Sequence, residues 1–183
     1  MSQKRPSTEV ELAAILKSAY DLASKHQYDK ALDICNWIIE DPSSEIAGYR
    51  ERAAIKQHMK DLDGAILDLE SVISRFDREP GDFHSLGILL LQNGATVKAI
   101  DAFSRAIALG DEADFHYYTD SSLLFRADAH LKRTNFADAL ADVMRLPAGY
   151  KVYISGSGMR SKEQISAEAS MALEKKSQQQ FRK

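Results

Sequence analysis

The chain has little of the chemistry that disulfides, zinc clusters or membrane spans require. Cys35 is the only cysteine among 183 residues, which excludes an intramolecular disulfide and a cysteine-rich zinc site. The first ten residues lack the apolar segment of a secretory signal, and no run of about 18 apolar residues occurs. The five histidines are scattered, without a pair spaced i, i+4. These absences predict a cytoplasmic protein that has no membrane contact and needs neither metal nor cofactor.

Proline and glycine are also sparse, at four and nine residues, and most of them fall between long runs rich in Ala, Leu, Glu, Lys and Asp. Such runs favour helices over strands. Apolar residues make up 44% of the chain and charged residues 28%, a balance that can bury a core. The composition therefore predicts a folded, mainly helical protein.

Positive charge is scarce in the body of the chain and concentrated at its end. Residues 150–183 carry seven Lys or Arg against three Glu, which leaves a net charge of −7 on residues 1–149. Binding of nucleic acid requires a dense basic face, so the acidic body argues against that function. The basic tail is expected to be a solvated helix end.

A repeated pattern is the strongest positive signal. Four segments share the same pattern, in which a turn is followed by a large residue and then by an alanine three positions later. In the third segment, Thr96 replaces the large residue. The alanines are Ala31, Ala65, Ala99 and Ala139, separated by 34, 34 and 40 residues. The last interval holds six extra residues within 111–118, which either lengthen a loop or extend the next helix. A fixed period of this length indicates a repeat architecture.

The third segment carries further large, small and aromatic residues at fixed positions. These residues are Phe83, Leu86, Gly87, Leu90, Ala99, Phe103 and Ala106. With the 34-residue period, the pattern resembles the tetratricopeptide-repeat (TPR) family over about residues 9–146. The resemblance implies an all-α solenoid of about four helix-turn-helix repeats, with a protein-binding rather than an enzymatic function.

Capping and turn signals divide the chain into these repeats. A T-x-x-E box from Thr8 to Glu11 starts the first helix, and Asp41-Pro42 ends the second, which begins near Tyr28. The predicted helices span about residues 9–25, 28–41, 45–59, 62–76, 82–93, 96–109, 120–132 and 135–145. After a flexible N-terminus at 1–8, the predicted repeat units are about 9–42, 45–77, 82–110 and 119–146.

The pattern changes after Pro147. Tyr150–Ile154 is rich in β-branched and aromatic residues and precedes a Ser-Gly-Ser-Gly sequence, which predicts an irregular or extended linker over 147–160. An S-x-x-Q box from Ser161 to Gln164 then begins a last helix, with a weak apolar stripe. Residues 161–183 are therefore predicted to be a capping helix with a frayed basic tail.

The resemblance implies that the first helix of each repeat lines a concave groove for a partner. The register set by the alanines gives the candidate groove residues Leu16, Tyr20, Arg50, Gln57, His84, Ile88, Leu91, Leu124 and Asp128. Because several of them are apolar, we expect the groove to bind a peptide or an amphipathic helix of a protein partner. The alternative is that these side chains pack against adjacent helices, or that the C-terminal segment, including residues 150–154, covers them.

Two other functions stay open at this stage. The acidic body would suit a small bacterial immunity protein or a secretion-type chaperone that neutralises a basic partner, and binding would then depend on salt. Uncapped solenoid ends would suit a self-assembling scaffold, which would be a homo-oligomer. No catalytic constellation accompanies any of these alternatives, so we expect that the chain is not an enzyme.

Overall fold

The computed structural model describes residues 5–180, and helices account for most of that range. The helices are α1 (Glu9–Ser24), α2 (Tyr28–Ile39), α3 (Glu45–Met59), α4 (Leu62–Ile73), α5 (Pro80–Gln92), α6 (Thr96–Glu112), α7 (Thr119–Lys132), α8 (Phe136–Met144) and α9 (Lys162–Gln180). Two short strands, β1 (Lys151–Ile154) and β2 (Gly158–Ser161), lie between α8 and α9. The predicted helical repeat fold is confirmed.

Helix bounds follow the signals that the sequence carries. The Thr8 hydroxyl accepts a hydrogen bond from the Glu11 amide at 3.1 Å, which caps α1. Pro80 lies in the first turn of α5, where a backbone N–H has no partner within the helix, so proline removes no helical hydrogen bond. The six extra residues lengthen α6 to Glu112 and the loop that follows it, while α7 begins at Thr119. The insertion therefore belongs to the connection before α7 and not to α7 itself.

The segment predicted to be an irregular or extended linker contains two extended strands. The strands β1 and β2 pair antiparallel, with Val152 opposite Arg160 and Tyr153 opposite Met159. The predicted capping box is present, because the Ser161 hydroxyl accepts from the amide of Gln164 at 3.2 Å. Helix α9 continues to Gln180 and so includes residues 177–180 of the tail that was predicted to fray. Residues 1–4 of the predicted flexible N-terminus (1–8) and residues 181–183 of the tail lie outside the described residues.

The helices form two units, one ending at Asp77 and the other beginning at Arg78. In the first unit, α1 to α4 each pack on the next helix, and α1 also packs on α3. In the second unit, α5 to α9 pack in the same sequential manner, and the hairpin of β1 and β2 packs on α7. A core cluster of the second unit consists of Ile107, Leu123, Leu124, Ala127, Ala139, Val143, Leu146, Ile165 and Ala169.

Gly87 shows why a small residue is needed where two helices of a repeat cross. A Cβ atom added to Gly87 on α5 would lie 2.6 Å from Cε1 of Phe103 on α6. The Phe103 ring has no exposed surface and cannot move aside without disturbing the core. The glycine therefore sets the close approach of α5 and α6.

An ionic cluster joins three helices of the first unit. The Arg52 guanidinium on α3 donates to both carboxylate oxygens of Asp68 on α4, at 2.9 and 2.6 Å. It also donates to Oδ1 of Asn36 on α2, at 2.6 Å. Asp68 is almost fully buried, so the bidentate arginine supplies the partner that a buried carboxylate requires.

The second unit repeats this cluster. Arg126 on α7 donates to both oxygens of Asp142 on α8, again at 2.9 and 2.6 Å, and to the hydroxyl of Ser104 on α6 at 2.8 Å. The Arg and the Asp are 16 residues apart in both units, and the third residue belongs to the preceding helix each time. Each unit therefore contains a pair of repeats joined by the same kind of ionic cluster.

The turn inside every repeat holds one residue in the left-handed region. These residues are His26 (φ 59°), Lys60 (φ 69°), Gly94 (φ 79°) and Thr134 (φ 61°). They recur at the same spacing as the repeat alanines. Only glycine adopts this conformation without steric cost, so three of the four turns are strained.

Replacing Thr134 by glycine should stabilise the second unit. A β-branched residue is the least suited to a positive φ, and we expect a gain of about 1 kcal/mol in the free energy of unfolding. Urea denaturation of Thr134→Gly against wild type measures this gain. Gly94→Ala is the matched control and should lose about 1 kcal/mol; an unchanged or lower midpoint for Thr134→Gly would show that the turn is not strained.

Candidate functional site

Three of the predicted groove residues lie in the interior of the second unit. Leu124 on α7 has no exposed surface and packs in one cluster with Ile165 and Ala169 of α9. His84 and Asp128 are 8% and 2% exposed. These three side chains do not form an accessible surface, because α9, the hairpin and neighbouring helices cover them.

His84 lies in an aromatic environment. Its Nδ1 is 2.8 Å from the buried hydroxyl of Ser122, and its ring centroid is 5.5 to 5.8 Å from those of Phe103, Tyr118 and Phe125. Burial lowers the pKa of His84 to about 4, since the charged imidazolium would lose its hydration. His84 is therefore a neutral core histidine at physiological pH.

Asp128 anchors the C-terminal segment to α7. Arg160 of β2 donates through Nε to Oδ1 of Asp128 at 2.8 Å, and the Ser157 hydroxyl donates to Oδ2 at 2.9 Å. The Lys132 ammonium lies 3.0 Å from Oδ2. Glu168 on α9 accepts from the other two nitrogens of Arg160 at 2.8 and 3.0 Å. A predicted groove residue thus holds the hairpin and α9 in place.

The hairpin covers the α7 part of the predicted groove, which answers a question that the sequence left open. Ile154 is 1% exposed, and Tyr150 and Val152 pack against the core cluster that contains Leu124. In the second unit, residues 150–154 therefore cover the part of α7 that carries predicted groove residues.

The other six predicted residues retain accessible surface. Ile88 and Leu91 on α5 are half-buried, as are Leu16 on α1 and both Arg50 and Gln57 on α3. Tyr20 on α1 is 63% exposed. Since α1 packs along α3, the four residues of the first unit lie on adjacent helices; we call Leu16, Tyr20, Arg50 and Gln57 the α1–α3 face.

Two pairs of exposed large apolar residues, each with at least one aromatic side chain, were not predicted. Phe115 and Tyr117, in the loop before α7, are 50% and 74% exposed, with ring centroids 6.3 Å apart. Tyr153 and Met159 face each other across the hairpin and are also exposed. The sequence signal that could have identified both pairs is an aromatic residue in an insertion or linker. Such a residue lies outside the repeat positions whose side chains pack between helices.

Carboxylates, cysteine and histidine are the usual protein ligands of transition-metal ions. Within the described part of the chain, no three His, Cys, Asp or Glu side chains are placed to hold a metal ion. Burial raises the pKa of the Cys35 thiol to about 12, so it stays protonated, as expected of a buried hydrophobe. A search of the same residues for a helix long and apolar enough to cross a membrane finds none.

Solved structures resemble this chain over most of its length, whereas no protein-family model and no curated protein sequence matches it. A crystal structure of nearly identical TPR-like repeats from Podosopora anserina, in a protein named as a kinesin light chain, shares 16% identity. The match covers 96% of this chain and 93% of that one, with a TM-score of 0.66. A variant of the same protein gives a TM-score of 0.67 at 16% identity, over 93% and 90% of the two chains.

The identity is too low to transfer a ligand or a partner, but the likeness of fold extends over nearly the whole of both chains. It agrees with the 34-residue period, the small residue at Gly87 and the sequential packing of helix pairs. The fold of this chain is that of the TPR-like repeat proteins.

Proposed function

We propose that the chain is a non-enzymatic scaffold or adaptor that binds a peptide or helix of a protein partner on the α1–α3 face. The observation that carries this proposal is the contrast between the predicted groove residues. On α7 they are covered by the hairpin and α9, whereas Tyr20 on α1 keeps 63% of its surface exposed. An exposed tyrosine between half-buried aliphatic and polar residues suits an anchor for a partner, since aromatic side chains dominate such contacts.

The chemistry of the α1–α3 face indicates the kind of segment that would bind. Leu16 and Tyr20 offer apolar surface, while Arg50 and Gln57 on the neighbouring helix carry polar groups. An amphipathic helix or extended segment with one large apolar residue would match this combination.

The charge distribution favours a basic partner. Residues 1–77 carry fourteen Asp or Glu against ten Lys or Arg, whereas residues 78–183 carry thirteen against fourteen. The acidity therefore belongs to the unit that contains the α1–α3 face. This supports the second candidate function, neutralisation of a basic protein, in which association would slow and weaken as salt rises.

Tyr20→Ala should weaken capture of the native partner by about tenfold or more, as expected for a tyrosine anchor. Leu67→Ala is the matched control, because Leu67 on α4 is also 63% exposed but lies outside the α1–α3 face. Affinity capture from the host, quantified by mass spectrometry at two salt concentrations, compares the variants after circular dichroism has verified folding. Unchanged capture by both Tyr20→Ala and Leu91→Asp would remove the predicted groove from the account.

We also propose a cytoplasmic location, and a self-assembling scaffold is a further alternative function. Imaging of a tagged chain in host cells tests the location. Sedimentation over a wide concentration range tests self-assembly, and a strictly monomeric profile would exclude the self-assembling scaffold.

A further inference from the structure

Two histidines and a tyrosine of the first unit converge on one point. His26 follows α1, Tyr28 begins α2, and His58 lies in the last turn of α3. The Tyr28 hydroxyl oxygen is 2.8 Å from Nδ1 of His26 and 3.1 Å from Nδ1 of His58. The two imidazole rings stack with centroids 6.2 Å apart. Two imidazole nitrogens from different elements thus lie within hydrogen-bond distance of one phenol oxygen.

The atoms that make the hydrogen bonds of this cluster are also able to coordinate a cation. A phenol carries one proton, so Tyr28 can donate to only one of the two imidazoles. The other imidazole must carry its proton on Nδ1 and donate to the tyrosine oxygen. Two hydrogen bonds therefore hold the cluster, and each of them uses one proton. Without these protons, the Tyr28 oxygen and both Nδ1 atoms are able to coordinate a cation.

The second unit shows that the fold does not require this cluster. At the positions equivalent to His26, Tyr28 and His58, the corresponding junction of the second unit has Gly94, Thr96 and Lys132. These residues have no imidazole or phenol and could not make the same contacts. The histidine–tyrosine set is therefore an addition to the first unit and not a packing requirement of the repeat.

We propose that His26, Tyr28 and His58 form a binding site for a divalent transition-metal ion of the zinc type. Zinc takes imidazole nitrogen and oxygen ligands in tetrahedral geometry at about 2.0–2.1 Å, which puts neighbouring ligand atoms about 3.3 Å apart. The two separations that involve the Tyr28 oxygen, 2.8 and 3.1 Å, are within half an ångström of that value. The hard ions Mg²⁺ and Ca²⁺ prefer all-oxygen sites and do not match this donor set.

Binding of the metal ion releases one proton from the cluster. The imidazole that carries its proton on Nδ1 gives it to water and takes one up on Nε2, so that both imidazoles coordinate through Nδ1. The Tyr28 hydroxyl proton leaves to water as the metal–oxygen bond forms. A surface depression of about 300 Å³, lined by His26, Gln27, Tyr28, Asp29 and Lys30, adjoins the cluster and has room for a water molecule as the fourth ligand. Since the ion joins α2 to α3 and the turn after α1, it should also stabilise the first unit.

Calorimetric titration of the full chain with ZnCl₂ at neutral pH tests the site. We expect one saturable site, release of a proton seen as a dependence of the heat on buffer ionisation, and a higher melting temperature with zinc. His58→Asn and Tyr28→Phe should each weaken zinc binding by about tenfold or more, because one of three donors is lost. MgCl₂ should give no saturable heat.

His116→Asn is the matched control, because His116 is an exposed histidine in the loop of the second unit, and it should bind zinc as wild type does. Where His58→Asn fails to fold, His26→Asn in the exposed turn replaces it. The proposal would be overturned if wild type shows no saturable zinc binding, or if either histidine variant or Tyr28→Phe binds zinc with unchanged affinity.

Discussion

Asp128→Ala should release the C-terminal hairpin from α7. Removal of the carboxylate deprives Arg160, Lys132 and Ser157 of a common partner whose side chain is only 3% exposed. Breaking a buried ion pair from one side is strongly destabilising, and we expect a loss of about 3 kcal/mol from the free energy of unfolding. Hydrogen exchange should at the same time show faster exchange of the backbone amides paired between β1 and β2.

The control for this variant is Asp138→Ala on the neighbouring helix. The Asp138 side chain is 64% exposed, so its loss should change stability by less than about 0.5 kcal/mol. Unchanged protection of the hairpin amides in Asp128→Ala would mean that apolar packing of Ile154 and Val152 alone holds the hairpin, and that the ionic cluster has no anchoring role.

Acid should destabilise the second unit through His84. Because the folded-state pKa of about 4 lies below the ordinary value of 6.5, the unfolded chain binds the proton more readily. The contribution of His84 is fully present above about pH 6.5 and is lost as the pH falls toward 4. The shift corresponds to a loss of about 3 kcal/mol over that window.

His84→Gln separates this contribution from the titration of carboxylates. Glutamine can still hydrogen-bond to Ser122 but does not titrate, so the stability difference between variant and wild type should shrink between pH 6.5 and 4. Burial also lowers the pKa of His130, and since this residue is present in both proteins, its contribution cancels. A difference that is constant with pH would show that His84 is accessible to protons in the folded state.

Much of the fold follows from local signals in the sequence. The 34-residue spacing of small residues locates the helix pairs, and the caps at Thr8 and Ser161 locate two helix starts. The predicted range 45–59 agrees with α3 at both ends. These features depend on contacts within one repeat or between neighbouring repeats, so the order of residues along the chain is enough to predict them.

The accessibility of the groove residues could not be predicted in the same way. Register places Leu124 and Asp128 on the correct helix, but their burial depends on where a segment about 30 residues later packs. Short strands joined by a Ser-Gly-Ser-Gly turn give no signal for the surface that they will cover. Ionic pairing at Asp128 and packing of Ile165 against α7 settle that placement, and both are tertiary contacts.

The strained turns and the histidine–tyrosine cluster are further features that the local sequence does not predict. Gly94 predicts a left-handed turn residue, whereas His26, Lys60 and Thr134 adopt the same conformation without any local preference for it. These residues adopt the turn conformation of the repeat, because the packing of the two flanking helices fixes the backbone between them. The contact of His26 with Tyr28 and His58 then follows from the register of the first two repeats.

Site-specific photo-crosslinking tests the binding role of the α1–α3 face most directly. A photoreactive amino acid is placed at position 20 or at position 67, whose native side chains have the same exposed fraction of 63%, and the chain is irradiated with its native partner. We predict a covalent adduct with the partner from position 20 and none from position 67. Adducts from position 67 without any from position 20 would contradict the proposal that the partner lies on the α1–α3 face.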